Sequence, residues 1–292
     1  MMKAEELLQQ YAECKREFKL ADLRGVDLQG ANLQKIVLNQ AQLAGADLSK
    51  ANLEQANLES ADLSNAYLTG TSLEKAKLNS SNLQYTDLSS ANLKDANLQH
   101  CKLNFANLDN SYLGYAALNY ADLTKASLSN IDLSRAKLNG ANLTQAYLDK
   151  VNLTQSNLEG VKFNQTHFVD VNLSQANLKN SIFQQVLLEK INLHLANLQG
   201  INLSQLNLAT ANLKMADLSS ANLQRTNLEG VNFDRTILAN ANLIRANLKG
   251  ANLRRANLID ANIYGANFED ADLTGARMPD GEIYRPSSEN NL

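Results

Sequence analysis

The stretch Ala241–Phe268, ANLIRANLKGANLRRANLIDANIYGANF, repeats a five-residue unit and changes little except its polar letters. With the large apolar residue taken as the centre, the same phase runs without insertion from Leu23 to Met278, so residues 21–280 form 52 units. The centre is Leu in 45 units, and Ala stands two residues before the centre in 31 units. A short fixed period of this kind is typical of a repeat architecture in which each unit packs on its neighbours.

Neither a helix nor a flat strand explains a period of five. Five residues advance an α-helix by about 500°, so successive leucines would share no face. In a straight strand, successive leucines would point to opposite faces. A chain that turns a corner once per unit keeps the centre and the residue two before it on one side. Four corners of about 90° close a coil of about 20 residues, and stacked coils then bury every Leu and Ala in one central column.

Glycine marks the corner of each unit. Of the 13 glycines, 11 stand two residues after a centre, as Gly25 and Gly250 do. Glycine is the preferred residue where φ is positive, as at the third position of a type II turn. Asn, Asp and many other residue types share this position, so we expect the corners to mix turn types.

The repeat A-[DN]-L-x-x resembles the signature of the pentapeptide repeat family and covers about nine-tenths of the chain. The resemblance implies an all-β fold, a right-handed quadrilateral parallel β-helix of about 13 coils and roughly 60 Å in length. Cyanobacterial members with a short N-terminal helical cap and an ending like Met278-Pro279-Asp280-Gly281 are closest in layout. The family has no known catalytic residues, so the resemblance implies none here.

The repeat divides the chain into three segments. We interpret residues 1–20 as an N-terminal helical cap, residues 21–280 as the β-helix and residues 281–292 as a polar, disordered tail. Leu7, Tyr11, Cys14 and Phe18 recur at helical spacing, which predicts a helix over residues 3–17. A stacked column has an open apolar end that such a helix would cover. Alternatively, the helix recruits a partner.

Net charge and composition indicate which classes of partner and which cellular compartment to expect. The formal net charge of −3 provides no general attraction to nucleic acid or to acidic membranes, so we expect neither as a direct partner. The sequence contains no apolar run of the length of a membrane span and no signal-peptide core, which predicts a cytoplasmic protein. Cys14 and Cys101 are expected to remain free thiols. We expect a monomer rather than a dimer.

Catalytic and metal-binding patterns are missing from the sequence. His100, His167 and His194 are scattered along the chain at outward positions, and none pairs with Cys or His at a metal-ligand spacing. The glycines are spaced by five rather than clustered into a phosphate-binding loop. Paired carboxylates arise from the repetition alone. We therefore predict no catalytic, metal-binding or cofactor-binding residues.

Outward aromatic residues are the first candidate for partner binding. Residues 20 apart should stack on one face, and aromatic residues are enriched at interface hot spots. A ladder of stacked rings that stabilises one face of the rod explains the same residues. The group consists of Tyr85, Phe105, Tyr112, Tyr115 and Tyr120.

A second candidate is the apolar stripe Tyr147, His167 and Leu187, again spaced by 20. Exposed apolar residues in a row suggest a contact surface. Nearby inward positions carry larger residues than usual, which predicts a local widening of the coils, although drift in packing explains them as well. These inward residues are Phe163, Phe168, Phe183, Val161, Val171, Val186, Ile191, Ile201 and Leu206.

A third group is basic and consists of the pairs Arg225–Arg245 and Arg235–Arg255. We interpret these arginines as a solvated face, with a phosphate or acidic-partner site as the alternative.

These features favour a non-enzymatic scaffold that presents the faces of a rigid rod to a protein partner. Some members of the resembled family mimic duplex DNA and bind type II topoisomerases. That alternative requires a strongly acidic surface, which a net charge of −3 does not supply. A purely structural element is the remaining alternative.

Overall fold

The computed structural model describes residues 1–285 and shows a stack of coils. Parallel bridges join residue i to residue i + 20 along the chain, from Glu17–Val37 to Asn257–Arg277. Each central leucine donates its amide to the next coil, as Leu23 N does to Gln42 O at 2.7 Å. The 20-residue register expected from the repeat is therefore present.

Regular strands occur at one place in the described residues. β1 (Tyr147–Asp149), β2 (His167–Val169) and β3 (Leu187–Glu189) form a parallel three-stranded sheet in the order β1-β2-β3. Elsewhere the pairing consists of isolated bridges because a corner interrupts the extended chain every five residues.

The central column is the hydrophobic core. Leu143 and Ala141 have no exposed surface, and the same holds for nearly all centres and small positions in the middle of the rod. Threonines at the small position remain buried because they bond the backbone, as Thr166 Oγ1 donates to Leu143 O at 2.7 Å. The inward assignment from the repeat is thus correct.

The corners share a positive φ, and most of them, although not those at Lys150, Asp170 and Lys190, close with the hydrogen bond of a turn. From residue 25 to residue 275, every residue two after a centre has a φ between 52° and 72°, whether it is Gly275 or a residue as large as Leu195. At nearly every corner the amide three residues after the centre bonds the carbonyl of the centre, as in Val26 N to Leu23 O. These features are those of a type II turn. Stacking imposes the left-handed conformation on residues that disfavour it, because the amide of the positive-φ residue bonds the next coil, as Leu195 N does to Lys214 O at 3.0 Å.

The residue before each centre stabilises the corner. Its side-chain oxygen accepts the amide two residues later, as Asp47 Oδ1 does from Ser49 N at 2.9 Å. Asparagines at this position also bond each other from coil to coil, as Asn192 Nδ2 does to Asn172 Oδ1 at 3.0 Å. The abundance of Asn and Asp is thereby explained by turns and ladders.

The N-terminal helix is shorter than the predicted span of residues 3–17. α1 comprises Ala4–Ala12 and buries Leu7 against the column. It ends because Cys14 takes a left-handed φ of 66° while its amide bonds Tyr11 O and the amide of Lys15 bonds Gln10 O. This is a Schellman ending, which normally uses glycine at the position of Cys14. Cys14 is consequently exposed and does not lie on the buried side of the cap.

The coil ladder extends beyond the predicted boundaries. It begins at Arg16, whose carbonyl accepts Val37 N at 2.8 Å, rather than at residue 21. At the other end, Ile283 pairs antiparallel with Arg277, and Tyr284 N donates to Ala276 O at 2.8 Å. This hairpin includes the first part of the segment predicted to be disordered, and residues 286–292 of that segment lie outside the described residues. Within residues 1–285, no helix is long and apolar enough to cross a membrane.

The Cys101 thiol should resist labelling in the native protein. It is buried in the column and donates to Leu78 O at 2.9 Å, and burial raises the pKa of the thiol to about 11. Because only the thiolate reacts, a maleimide reagent at pH 8 should modify Cys14 fast and Cys101 at least about 100-fold more slowly until denaturant is added. Mass spectrometry of timed samples measures both rates. Equal rates in native protein would contradict the inward placement of Cys101.

Candidate interaction surface

Tyr85 and Phe105 form a stacked pair on one corner of the rod. Their ring centroids are 4.8 Å apart with an interplanar angle of 8°, and both rings are about half exposed. The Nζ of Lys125, one coil further, lies 5.2 Å from the centroid of the Phe105 ring. The 20-residue register brings these side chains together because each occupies the same corner of successive coils.

The corner that precedes this one carries a second stack. His100 and Tyr120 have ring centroids 5.2 Å apart and nearly parallel planes. The Tyr120 ring lies directly beneath Gly140, the equivalent corner of the next coil, where a methyl group would come within 2.7 Å of the ring. His100 lies outside the aromatic group predicted from the sequence, although its spacing of 20 from Tyr120 is the signal that identifies it.

Replacing Gly140 with alanine should disturb this second stack. Gly140 and Gly160 both have positive φ, so Gly→Ala costs about 1 kcal/mol at either corner. Only at Gly140 must the Tyr120 ring also move, so we expect Gly140→Ala to cost about 1 kcal/mol more than Gly160→Ala. Thermal unfolding of both variants measures the difference. If the difference persists in a Tyr120→Ser background, the Tyr120 ring is not its cause.

Tyr112 and Tyr115 lie on the far side of the rod from Tyr85 and Phe105. Tyr115 stacks under Arg135, whose guanidinium carbon is 5.4 Å from the ring centroid, and Arg135 also bonds the tyrosine hydroxyl. The Tyr112 ring covers the backbone at Gly114. Corners recur every five residues with four to a coil, so residues 10 apart, such as Phe105 and Tyr115, occupy opposite corners.

The five aromatic candidates therefore do not form one patch. Tyr85 and Phe105 occupy one corner, Tyr120 the adjacent corner and Tyr115 the corner opposite the first. A flat partner can contact one side of the rod and its two edges. We define the aromatic face as the side whose edges carry the Tyr85–Phe105 and His100–Tyr120 stacks.

Polar residues of the aromatic face are held by hydrogen bonds. Asp122 lies between the two edges and accepts bonds from Thr124 Oγ1 at 2.5 Å and Asn104 Nδ2 at 2.6 Å. Burial alone would raise the pKa of this carboxyl, but the bonds from Thr124 and Asn104 outweigh burial and hold the pKa below its ordinary value. Asp122 therefore remains an anion fixed in position, beside the exposed Lys102.

The second stripe lies on the strands of the sheet. Tyr147 pairs with His167 and His167 with Leu187, and the rings of Tyr147 and His167 meet edge to face at 6.1 Å. A row of glutamines flanks the stripe on one corner, with Gln145 bonded to Gln165 and Gln165 to Gln185. His167, Leu187 and the three glutamines line a shallow groove of about 530 Å³.

The basic residues do not converge. Arg225 and Arg245 occupy one corner, whereas Arg235 and Arg255 occupy the opposite one. Other basic side chains at this end form ion pairs, as Lys249 does with Glu269 at 3.0 Å. The arrangement provides two narrow rows of positive charge rather than one site for an anion.

Each histidine has its own separate neighbours. His100 stacks on Tyr120, His167 contacts Tyr147, and His194 Nδ1 lies 2.9 Å from Lys214 O. Within residues 1–285, no three His, Cys, Asp or Glu side chains are grouped so that they could hold a metal ion.

Family models for pentapeptide repeats match most of the chain. The model described as "Pentapeptide repeats (8 copies)" matches residues 21–59, 56–95, 91–130, 126–165 and 236–275. The model described as "Pentapeptide repeat region" matches residues 156–233. A comparison with curated proteins gives no significant match.

Several solved structures are similar to this chain. One is HetL from the cyanobacterium Nostoc sp. strain PCC 7120, a pentapeptide repeat protein involved in heterocyst differentiation regulation, with 30% identity, 97% of this chain and 100% of that chain covered, and a TM-score of 0.21. Rfr23 from the cyanobacterium Cyanothece 51142 is 23% identical over 64% of this chain and 97% of that chain, with a TM-score of 0.14. QnrB1, a plasmid-mediated fluoroquinolone resistance protein, is 14% identical over 62% of this chain and 88% of that chain, with a TM-score of 0.38.

Proposed function

This chain belongs to the pentapeptide repeat family, and from that premise we propose that it is a non-enzymatic scaffold for protein interaction. In this proposal a right-handed rod of about 13 coils presents the aromatic face to a protein partner in the cytoplasm. The rod acts as a monomer, contacts no membrane and binds no nucleic acid directly.

One observation carries the proposal. Tyr85, Phe105 and Tyr120 hold large rings in solvent at corners with positive φ. A bulky residue is disfavoured in this conformation, and a half-exposed ring gains little from burial. Stacking of two rings stabilises the fold by about 0.5–1.5 kcal/mol per pair. Most other corners of the rod carry polar residues, which do not need burial. A partner that covers the rings would supply the burial free energy that they lack in the free protein.

The aromatic face suits a partner surface of protein rather than of nucleic acid. Tyrosine and phenylalanine supply large, rigid contact area at low cost in conformational entropy. The fixed Asp122 anion beside Lys102 presents both charges, which favours a partner with polar groups of both signs and disfavours a phosphate backbone.

Capture from a cell extract, followed by mass spectrometry, tests the proposal. The bait is the full chain, compared with a Tyr85→Ser/Phe105→Ser variant and with a Tyr112→Ser/Tyr115→Ser variant altered at the opposite corner. We expect one protein that the parent and the second variant retain and that the first variant loses. A partner retained equally by all three baits would contradict the assignment to the aromatic face.

A supercoiling assay with a type II topoisomerase tests DNA mimicry separately. Inhibition by the parent chain at micromolar concentration would replace the proposed partner class with that enzyme. A parent chain that captures nothing and leaves supercoiling unchanged would instead indicate a purely structural element.

A further inference from the structure

The stack of coils opens on two of its four sides at a single level. Between the coil of residues 181–200 and the coil of residues 201–220, the amides of Gln185, Leu188 and Lys190 donate no bond to the next coil, and the amide of Phe183 makes no close bond although Ile182 and Asn202 remain bridged. One coil earlier, the equivalent amides do so, as Phe163 N bonds Ile182 O at 2.8 Å. In the upper coil, the amide of Asn207 is also unpaired on these sides.

The other two sides of the same level are closed. Leu193 N bonds Asn212 O at 2.8 Å, Leu195 N bonds Lys214 O at 3.0 Å and Leu198 N bonds Asp217 O at 2.7 Å. The coils therefore remain joined along the two sides of residues 191–200. They are separated along the two sides of residues 181–190, which we call the mouth of the opening. It widens along the chain, because Ile182 still faces Asn202 in register whereas Leu187 has no partner in the next coil. For that reason β3 is an edge strand of its sheet.

Side chains at the mouth show the same separation. Gln145, Gln165 and Gln185 form a bonded row along one corner, and no bond joins Gln185 to Gln205, the next residue of the row. A cleft of about 520 Å³ separates them, with Phe183 on one wall and Leu206 on the other. Leu206 is only partly buried, unlike the residues at most small positions.

A leucine at the small position distinguishes the open level from the closed ones. Ile201 lies over Ser181 and Leu206 over Val186 on the open sides, whereas the closed sides have Ala211 and Ala216 in the upper coil. Leu206 is the one leucine among the 52 small positions. β-Branched residues stack without separating the coils, as Ile191 does over Val171, whereas Leu206 over Val186 places a γ-branched side chain between coils about 4.8 Å apart. This separation runs along the rod axis and is a different feature from the wider coil predicted from the sequence.

We propose that this level is a hinge, about which the arm of residues 1–200 moves relative to the arm of residues 201–285. The closed sides act as the pivot, and the free amides and carbonyls of the mouth pair transiently when the two arms come into line. This inference does not depend on the proposed scaffold function. It would let the arm with the aromatic face change its angle to the arm with the arginine corners.

Disulfide trapping tests the hinge with a matched control. In a Cys14→Ser background, Gln185→Cys/Gln205→Cys spans the mouth and Gln165→Cys/Gln185→Cys spans the closed level below it on the same corner. A disulfide needs Cα atoms about 4.4–6.8 Å apart, which adjacent paired coils satisfy. We expect the control pair to oxidise quickly and the mouth pair to oxidise completely but at least about 10-fold more slowly. Equal rates would show a closed mouth, and a mouth pair that never oxidises would show a fixed gap; either result overturns the hinge.

Hydrogen exchange on the parent chain tests the cause of the opening. The amides of Phe183, Gln185 and Lys190 should exchange at least about 10-fold faster than those of Phe163, Gln165 and Asp170. An Ile201→Ala/Leu206→Ala variant should slow the exchange of the first set toward that of the second. If the folded variant leaves the first set unprotected, the bulk of these side chains does not hold the mouth open, and the proposal fails in that respect.

Discussion

An aspartate in place of Leu143 is expected to cost about 4–5 kcal/mol or more, enough to unfold much of the rod. Leu143 has no exposed surface, Leu123 and Phe163 are its neighbours in the column, and the buried positions among residues 1–285 include no cation to pair with a carboxylate. Leu143→Ala should cost about 2–5 kcal/mol through the cavity that it leaves. Chemical denaturation followed by circular dichroism measures both losses.

Lys137→Asp is the matched control for this substitution. Lys137 is exposed and stands before a centre, where aspartate occurs at many other units. We expect a change within about 0.5 kcal/mol there. If Leu143→Asp and Lys137→Asp unfold at the same denaturant concentration, Leu143 does not face the column and the corner geometry is incorrect.

Loss of the Phe163 ring should have the next largest effect. Phe163 is fully buried, and its ring centroid lies 5.1 Å from that of Phe168 and 4.9 Å from that of Phe183. Phe163→Ala should therefore cost about 3–5 kcal/mol, because it removes both burial and the shared aromatic contacts. Phe163→Leu, which restores the commonest centre, should cost less than about 1.5 kcal/mol. Equal unfolding midpoints for the two variants would place the ring outside the core cluster.

Most of the fold could be predicted because every five-residue unit carries the same pattern of small, polar and large apolar residues. A period of five with a small residue two before each leucine admits few arrangements, and the inward positions followed directly. The left-handed corners of residues such as Leu195 could not be predicted from preference, since bonds to the next coil impose them. The end of α1 was missed for the same reason, because Cys14 adopts the conformation that normally identifies glycine.

The candidate surface was only partly predictable. Spacing by 20 correctly joined Tyr85 to Phe105 and Tyr147 to His167. A coil of 20 residues with four corners also places residues 10 apart on opposite corners. The sequence therefore already predicts that Tyr115 and Phe105 lie on opposite corners. The larger inward residues predict that the stacking of the coils is irregular near residue 200. The sequence alone could not show that it opens two sides, because the result depends on how Leu206 packs over Val186.

The affinity of an identified partner for two variants tests the central claim most directly. One variant is Tyr85→Ser/Phe105→Ser on the aromatic face, and the other is Arg245→Gln/Arg255→Gln at two opposite corners, both first shown to unfold like the parent. The account predicts that the aromatic variant loses at least about 10-fold in affinity, because exposed rings are binding anchors, while screened charges chiefly affect the association rate. Unchanged affinity for the aromatic variant, together with a large loss for the arginine variant, would contradict the account and indicate an acidic protein or a nucleic acid as the partner.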